Sequence, residues 1–277
     1  MIRSVPIGIF DSGYGGLTVM KKIVETLPHY DYMYLGDNAR TPYGSRSFET
    51  VYKYTLECVE WFFQQGCPLV ILACNTASAK ALRSIQQNDL PHIDPAKRVL
   101  GVIRPTAEVI GSFSKTGHIG VLGTSGTVNS LSYVIEIEKF FPEMKVHQQA
   151  CPMWVPIVEN REYDGWGADY FISKYVDELL TESPDIDCLL LACTHYPLLY
   201  PKIRAAVPSN IAVLSQGQIV ADSLKNYLQR HPEIESKLTS VDGNGQSQFF
   251  TTDSTEDFDN HASIFYGTEI KSVHVEL

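Results

Sequence analysis

The chain has 277 residues, 44% hydrophobic and 19% charged, which suits a soluble globular protein of one large or two ordinary domains. Its net charge of −10, with no cluster of Lys and Arg, argues against nucleic acid as a partner. No apolar run approaches the roughly 18–20 residues that span a bilayer, and "MIRSVPIGIFDSG" lacks the apolar segment of a signal peptide, so a cytoplasmic location without a membrane partner is expected.

Strands and helices alternate along the chain. "VPIGIF" reads as a strand, and "GGLTVMKKIVETL" then sets Leu17, Met20, Val24 and Leu27 on one helical face. "YDYMYLG" is the next strand, followed by a helix over 46–65, the strand "PLVILA" and a helix from about Thr76 to Gln86. "RVLGVI", a helix from about Pro105, "HIGVLG" and a helix through "NSLSYVIEIEKFF" come next. "MKVHQQA", a helix over 167–182, "IDCLLLA", a helix after Pro197, "IAVL" and a helix over 217–230 complete the alternation. The polar stretch "ESKLTSVDGNGQSQ" then leads to a strand-like "SQFFTTD". This order predicts an α/β protein of mostly parallel sheets flanked by helices, with ligands at the carboxyl ends of the strands.

An internal echo divides the chain. "IGIFDSGYGGLT" starts at Ile7 and "IGVLGTSGTVNS" at Ile119, and "ILACNTASA" is matched by "LLLACTHYPLL", with Cys74 and Cys193 in corresponding places. Two related lobes with a cleft between them follow: residues 1–98 plus 213–277, and residues 99–212.

Of six cysteines, Cys58, Cys67 and Cys188 lie within or beside apolar elements and read as small buried hydrophobes. No Cys-x-x-Cys pair supports a zinc site, so no metal is expected. Cys74 and Cys193 differ because both sit at strand ends. A cysteine opening a helix receives the positive end of its dipole, which predicts a thiol pKa lowered toward neutrality. Backbone N–H groups at such a place, with Asn75, Thr76 and Ser78 after one thiol and Thr194 after the other, suit a carboxylate. The Gly turns at 11–16 and 123–127 also fit an anion, or plain strand-to-helix geometry. Two thiols facing across a cleft describe a two-base device that removes an α-proton from one face of an amino acid and returns one to the other. Asp11 and His195 are the neighbours placed to manage those protons; alone, Asp11 reads equally as a turn former and His195 as a structural histidine.

"IGIFDSGYGGLTV", "LGDNARTPYGSRS", "ILACNTASA" and "LLLACTHYPLL", in this order, resemble the glutamate racemases, pyridoxal-independent enzymes that make D-glutamate for bacterial peptidoglycan. The resemblance runs from about residue 7 to residue 200. It implies a two-domain α/β fold, no cofactor, glutamate as substrate, and Cys74 and Cys193 as the paired acid and base. It further implies that substrate is held by Asp11 and Ser12, Tyr43 and Gly44, Asn75 and Thr76, and Thr194 and His195. "CPMWVPIVEN" resembles a family loop whose cleft carboxylate falls on Glu159, and pseudo-symmetry with Ser12 adds Thr124. A homodimer is a family-level expectation. One departure stands out: the family often has an acidic residue and a serine after the strand near 214, where this chain reads "VLSQGQIV". That position reads as support for the return to the first domain.

Other readings stay open from sequence. An aspartate or hydantoin racemase or a one-cysteine decarboxylase shares the broad group, and Cys193 speaks against the last. A cysteine hydrolase with Cys74 as nucleophile and His195 as base would leave the second strand-end thiol idle. A two-lobed amino-acid-binding protein would use neither thiol.

Overall fold

The computed structural model describes residues 5–238 and 243–277; the expected start of the chain at 1–4 and part of the polar loop, 239–242, lie outside them. The strands are β1 (Ile7–Asp11), β2 (Tyr32–Gly36), β3 (Leu69–Leu72), β4 (Arg98–Gly101), β5 (His118–Gly123), β6 (Lys145–Ala150), β7 (Cys188–Ala192), β8 (Ala212–Ser215), β9 (Ser247–Thr251) and β10 (Ser272–His274). They form two parallel sheets, ordered β10-β9-β2-β1-β3-β4 and β6-β5-β7-β8. The central strands β1, β3 and β7 are buried throughout, and apolar except for Asp11 at the end of β1, as parallel strands covered on both faces must be.

The order β2-β1-β3-β4 repeats as β6-β5-β7-β8, so the echo between Ile7 and Ile119 is a duplication of topology. Each lobe ends its third strand one residue before Ala73-Cys74 or directly before Cys193. By sheet membership the chain crosses outward after Gly101 and back after Ser215, a few residues beyond the expected 98 and 212. The tail extends the first sheet: β9 pairs with β2 and β10 with β9. The helix Thr255–Tyr266 between them, capped by Ser254, was not anticipated.

The returning helix Gly217–Arg230 turns Val220, Leu224 and Leu228 into the same core as Met20 and Ile23 of helix Leu17–Thr26. At about 1.5–3 kcal/mol per fully buried aliphatic side chain, this apolar seam holds the lobes together.

Two expected helices are interrupted. The one from Thr76 stops at Lys80 and reforms as Leu82–Ser84, a π turn at Ile85–Asp89 and Leu90–Ile93. Pro91 lacks the N–H a regular helix needs there. The helix through "NSLSYVIEIEKFF" divides into Ser125–Asn129 and Ser132–Phe140, with Leu131 left-handed at φ 55°. Ser130 causes the break: its hydroxyl donates to Thr127 O at 2.6 Å and accepts from Ser132 N at 3.2 Å, competing with the helix ladder.

Candidate active site

β1 delivers Asp11 and Ser12 to the cleft. Asp11 is buried, and its Oδ2 accepts from Gly13 N at 3.0 Å. The turn that follows meets the other lobe so closely that a Cβ on Gly15 would lie 2.3 Å from Thr194 Oγ1 and 2.5 Å from His195 Nδ1. Only glycine fits there. β3 delivers Cys74, Asn75 and Thr76. Cys74 caps the helix Asn75–Lys80, accepting from Ala77 N at 3.4 Å, and its Sγ lies 3.5 Å from Ser12 Oγ.

β7 delivers Cys193, Thr194 and His195. Cys193 Sγ is 4.0 Å from His195 Nδ1, while His195 Nε2 is 3.0 Å from Glu159 Oε1. Thr194 Oγ1 donates to Asp11 Oδ1 at 3.4 Å, and Thr18 Oγ1 donates to Thr194 O at 3.0 Å. A chain of contacts and neighbouring residues therefore runs from Cys74 through Ser12, Asp11 and Thr194 to His195 and Cys193. Glu159 was expected in a loop; it ends a short helix, Trp154–Glu159, which aims its carboxylate at His195. Trp154, wholly buried against Tyr196, fixes that helix on the β7 side.

A second contact line closes the cleft. Thr76 Oγ1 and Thr124 Oγ1 are 2.9 Å apart across the lobes, and Gly126 N donates to Gly44 O at 2.8 Å. Thr124 caps its own helix through Thr127 N at 3.3 Å. Tyr43 is buried with its hydroxyl donating to Asp37, and its ring packs on Phe10 and Tyr54. Its segment therefore brings backbone, through Gly44, rather than a phenol to the other lobe.

Burial governs the electrostatics. The lowered Cys74 pKa expected from the helix dipole is not found: burial, with the Asp11 charge, pushes the thiol up to about 12 against the Ala77 N–H and Ser12. The helix behind it has only six residues, too small an N-terminal field to offset a thiol withdrawn from water. Burial likewise raises Asp11, opposed by the His195 charge and by hydrogen bonds from Gly13, Gly16 and Thr194. For His195 burial acts downward, but hydrogen bonds to Cys193 and Glu159 prevail and raise it to about 10. The hydrogen bonds to Cys193 and Glu159 thus favour the protonated imidazole of His195, while burial favours the protonated thiol of Cys74.

Sequence reasoning passed over the groups beneath the site. Gln216, Tyr133 and Thr106 are buried and joined to Asn75 by hydrogen bonds. The signal for Gln216 was the departure in "VLSQGQIV"; Tyr133 gave none. Among the described residues, no group of three or more His, Cys, Asp or Glu is placed to hold a metal, and no helix is long and apolar enough to cross a membrane.

Two duplicated parallel α/β lobes, each ending its third strand just before a cysteine near a buried acid and a buried histidine, define the α/β architecture of an amino-acid racemase fold. The chain belongs to the Asp/Glu/Hydantoin racemase family, whose model matches residues 7–224. It is 37% identical over 272 residues to a glutamate racemase of Persephonella marina, an alignment covering 98% of this chain and 97% of that protein. The crystal structure of a glutamate racemase isoform from Bacillus anthracis superposes with a TM-score of 0.90 at 36% identity, covering 99% of this chain and 98% of the other. That of a Francisella tularensis glutamate racemase in complex with D-glutamate gives 0.86 at 29% identity, with coverage of 99% and 98%.

Proposed function

We propose that this protein interconverts L- and D-glutamate by proton transfer at Cα between Cys74 and Cys193, without pyridoxal phosphate, supplying D-glutamate for peptidoglycan. The observation that carries the reading is the pair of thiols at equivalent strand ends of duplicated lobes, linked through Ser12, Asp11, Thr194 and His195. The naming of close full-length relatives as glutamate racemases supports glutamate as substrate.

One thiolate removes the α-proton, leaving a planar carbanion; the opposing thiol delivers its own proton to the other face. Configuration inverts, and one proton has moved from substrate to one sulfur while another has left the second. Cys74, held protonated by burial, is ready to donate. Cys193 lies 4.0 Å from His195 Nδ1, and the Glu159 carboxylate, 3.0 Å from Nε2, holds that histidine in place beside it. Substrate carboxylates are held by the N–H and hydroxyl groups of Ser12, Asn75, Thr76, Thr124 and Thr194, which exclude water around the carbanion. Each acid or base supplies about 10²–10⁴-fold of the rate.

The test is optical. L-Glutamate incubated with the protein, free of added pyridoxal phosphate, loses its circular dichroism to zero, and D-glutamate does the same from the opposite sign. A hydrolase or a binding protein leaves both signals unchanged, and that outcome refutes the reading.

A further inference from the structure

Three buried side chains close a ring of hydrogen bonds beneath Asn75. Asn75 Nδ2 donates to Gln216 Oε1 at 2.8 Å, Gln216 Nε2 donates to Tyr133 OH at 2.6 Å, and Tyr133 OH donates to Asn75 Oδ1 at 2.6 Å. Each member gives one hydrogen and receives one. The same Gln216 Nε2 also faces Val102 O at 3.2 Å and Thr106 Oγ1 at 3.0 Å.

The backbone dictates the direction of the ring. Val102 O only accepts, so Gln216 must turn its NH₂ toward it and its Oε1 toward Asn75. Asn75 must then present Nδ2 to Gln216 and Oδ1 to Tyr133. Reversing either amide would set two acceptors or two donors face to face in a dry interior, a costly arrangement. Burial raises the Tyr133 phenol well above its ordinary pKa, so it stays a donor. With one Asn75 N–H spent on Gln216, the other remains for a ligand.

The members also span the junction of the lobes. Asn75 follows Cys74 in the first lobe, and Tyr133 lies in helix Ser132–Phe140 of the second. Val102 stands where the chain leaves the first sheet, and Gln216 where it returns, directly after β8. A single glutamine thus ties the amide next to a thiol to both crossings.

We propose that Gln216 and Tyr133 are positioning residues for the substrate carboxylate: their ring with Asn75 fixes the Asn75 amide with one N–H free to donate to a carboxylate oxygen. This rests on the glutamate racemase reading of the site. Gln216 and Tyr133 act on substrate through Asn75 and touch no reacting atom. Asn75 grips the carboxylate in ground state and transition state alike, so loosening it weakens binding more than turnover.

The experiment is a cycle of variants in the whole protein. Tyr133→Phe removes a single hydroxyl; Gln216→Leu removes the whole bridge at similar volume. Each is made alone and together with Asn75→Ala, with KM and kcat for L-glutamate and the melting temperature measured for all. Alone, each is expected to raise KM about tenfold, the loss of roughly one hydrogen bond to a charged group, with kcat held within about threefold. With Asn75→Ala already present, the same substitutions are expected to move KM by less than about twofold, because the group they act through is gone. An unmoved KM in the single variants overturns the proposal. A rise of equal size with Asn75→Ala present also overturns it, since that is how a general loss of packing behaves. Should Gln216→Leu not fold, Tyr133→Phe decides by the same criteria. If the unaltered protein leaves glutamate untouched, the racemase reading itself has failed; if it is active and KM behaves in either contrary way, only the ring's role is refuted.

Discussion

Replacing Glu159 with Gln tests the charge arrangement beside Cys193. Glu159 Oε1 lies 3.0 Å from His195 Nε2, His195 is buried and titrates near 10, and the glutamate side chain is 23% exposed. Glu159→Gln keeps the shape and an oxygen for the hydrogen bond but removes the charge. The difference between a charged and a neutral acceptor is about 1–1.5 kcal/mol, so His195 should fall by about one pH unit. The direction in stability follows from linkage. His195 titrates above its ordinary 6.5, so the contribution of its charged form is complete below about pH 6.5 and is lost as pH rises through about 10. Glu159→Gln should therefore cost about 1–1.5 kcal/mol at pH 6 and less than about 0.5 kcal/mol near pH 11. The His195 ring signals, assigned with a His195→Gln variant, are followed by NMR from pH 5 to 11, and urea unfolding is measured at both ends. A His195 titration within about 0.3 units of the parent, or an equal stability loss at both pH values, would refute the pairing.

Cys74→Ser and Cys193→Ser are each expected to abolish net inversion, because a serine hydroxyl neither takes nor returns the α-proton at neutral pH; full activity in either variant contradicts the two-thiol account. Gly15→Ala should lower kcat/KM by at least about 10²-fold, since a Cβ 2.5 Å from His195 Nδ1 displaces the ring from Cys193, and wild-type kinetics would show that the turn yields freely. With Cys74 raised to about 12, alkylation by iodoacetamide at pH 8 in the absence of glutamate should be slower at Cys74 than at the cysteine of an unstructured reference peptide by at least about tenfold, read by mass spectrometry; equal rates would contradict the burial argument.

Much of the architecture was readable because its physics is local. "LVIL" and "CLLLA" are apolar without alternation, as strands covered on both faces require, and the echo of Ile7 in Ile119 foreshadowed the repeated strand order. Cys74, Cys193, Asp11, Thr194 and His195 were marked by position at strand ends and by resemblance, and the fold brings them into one chain of contacts. What escaped depends on distance or on competition. The helix rule for Cys74 was sound but weaker than desolvation, which no sequence window registers. The break at Leu131 needed the hydroxyl of Ser130 to outcompete the backbone, in a segment whose periodicity stays helical. Gln216 read only as support for the return to the first domain, because its partner Asn75 is 141 positions away. The tail helix Thr255–Tyr266 carries polar residues on most of its surface, and only Phe258, Ala262 and Phe265 are buried.

Isotope placement tests the two-thiol claim most directly. L-Glutamate is incubated with the protein in deuterated water and both enantiomers are analysed before a tenth of the substrate has turned over. A thiol has one hydrogen to hand back, so the recovered L-glutamate should keep protium at Cα while every molecule of D-glutamate carries deuterium delivered from the opposite sulfur. D-glutamate that retains the original hydrogen would mean a single base serving both faces, and would contradict the account.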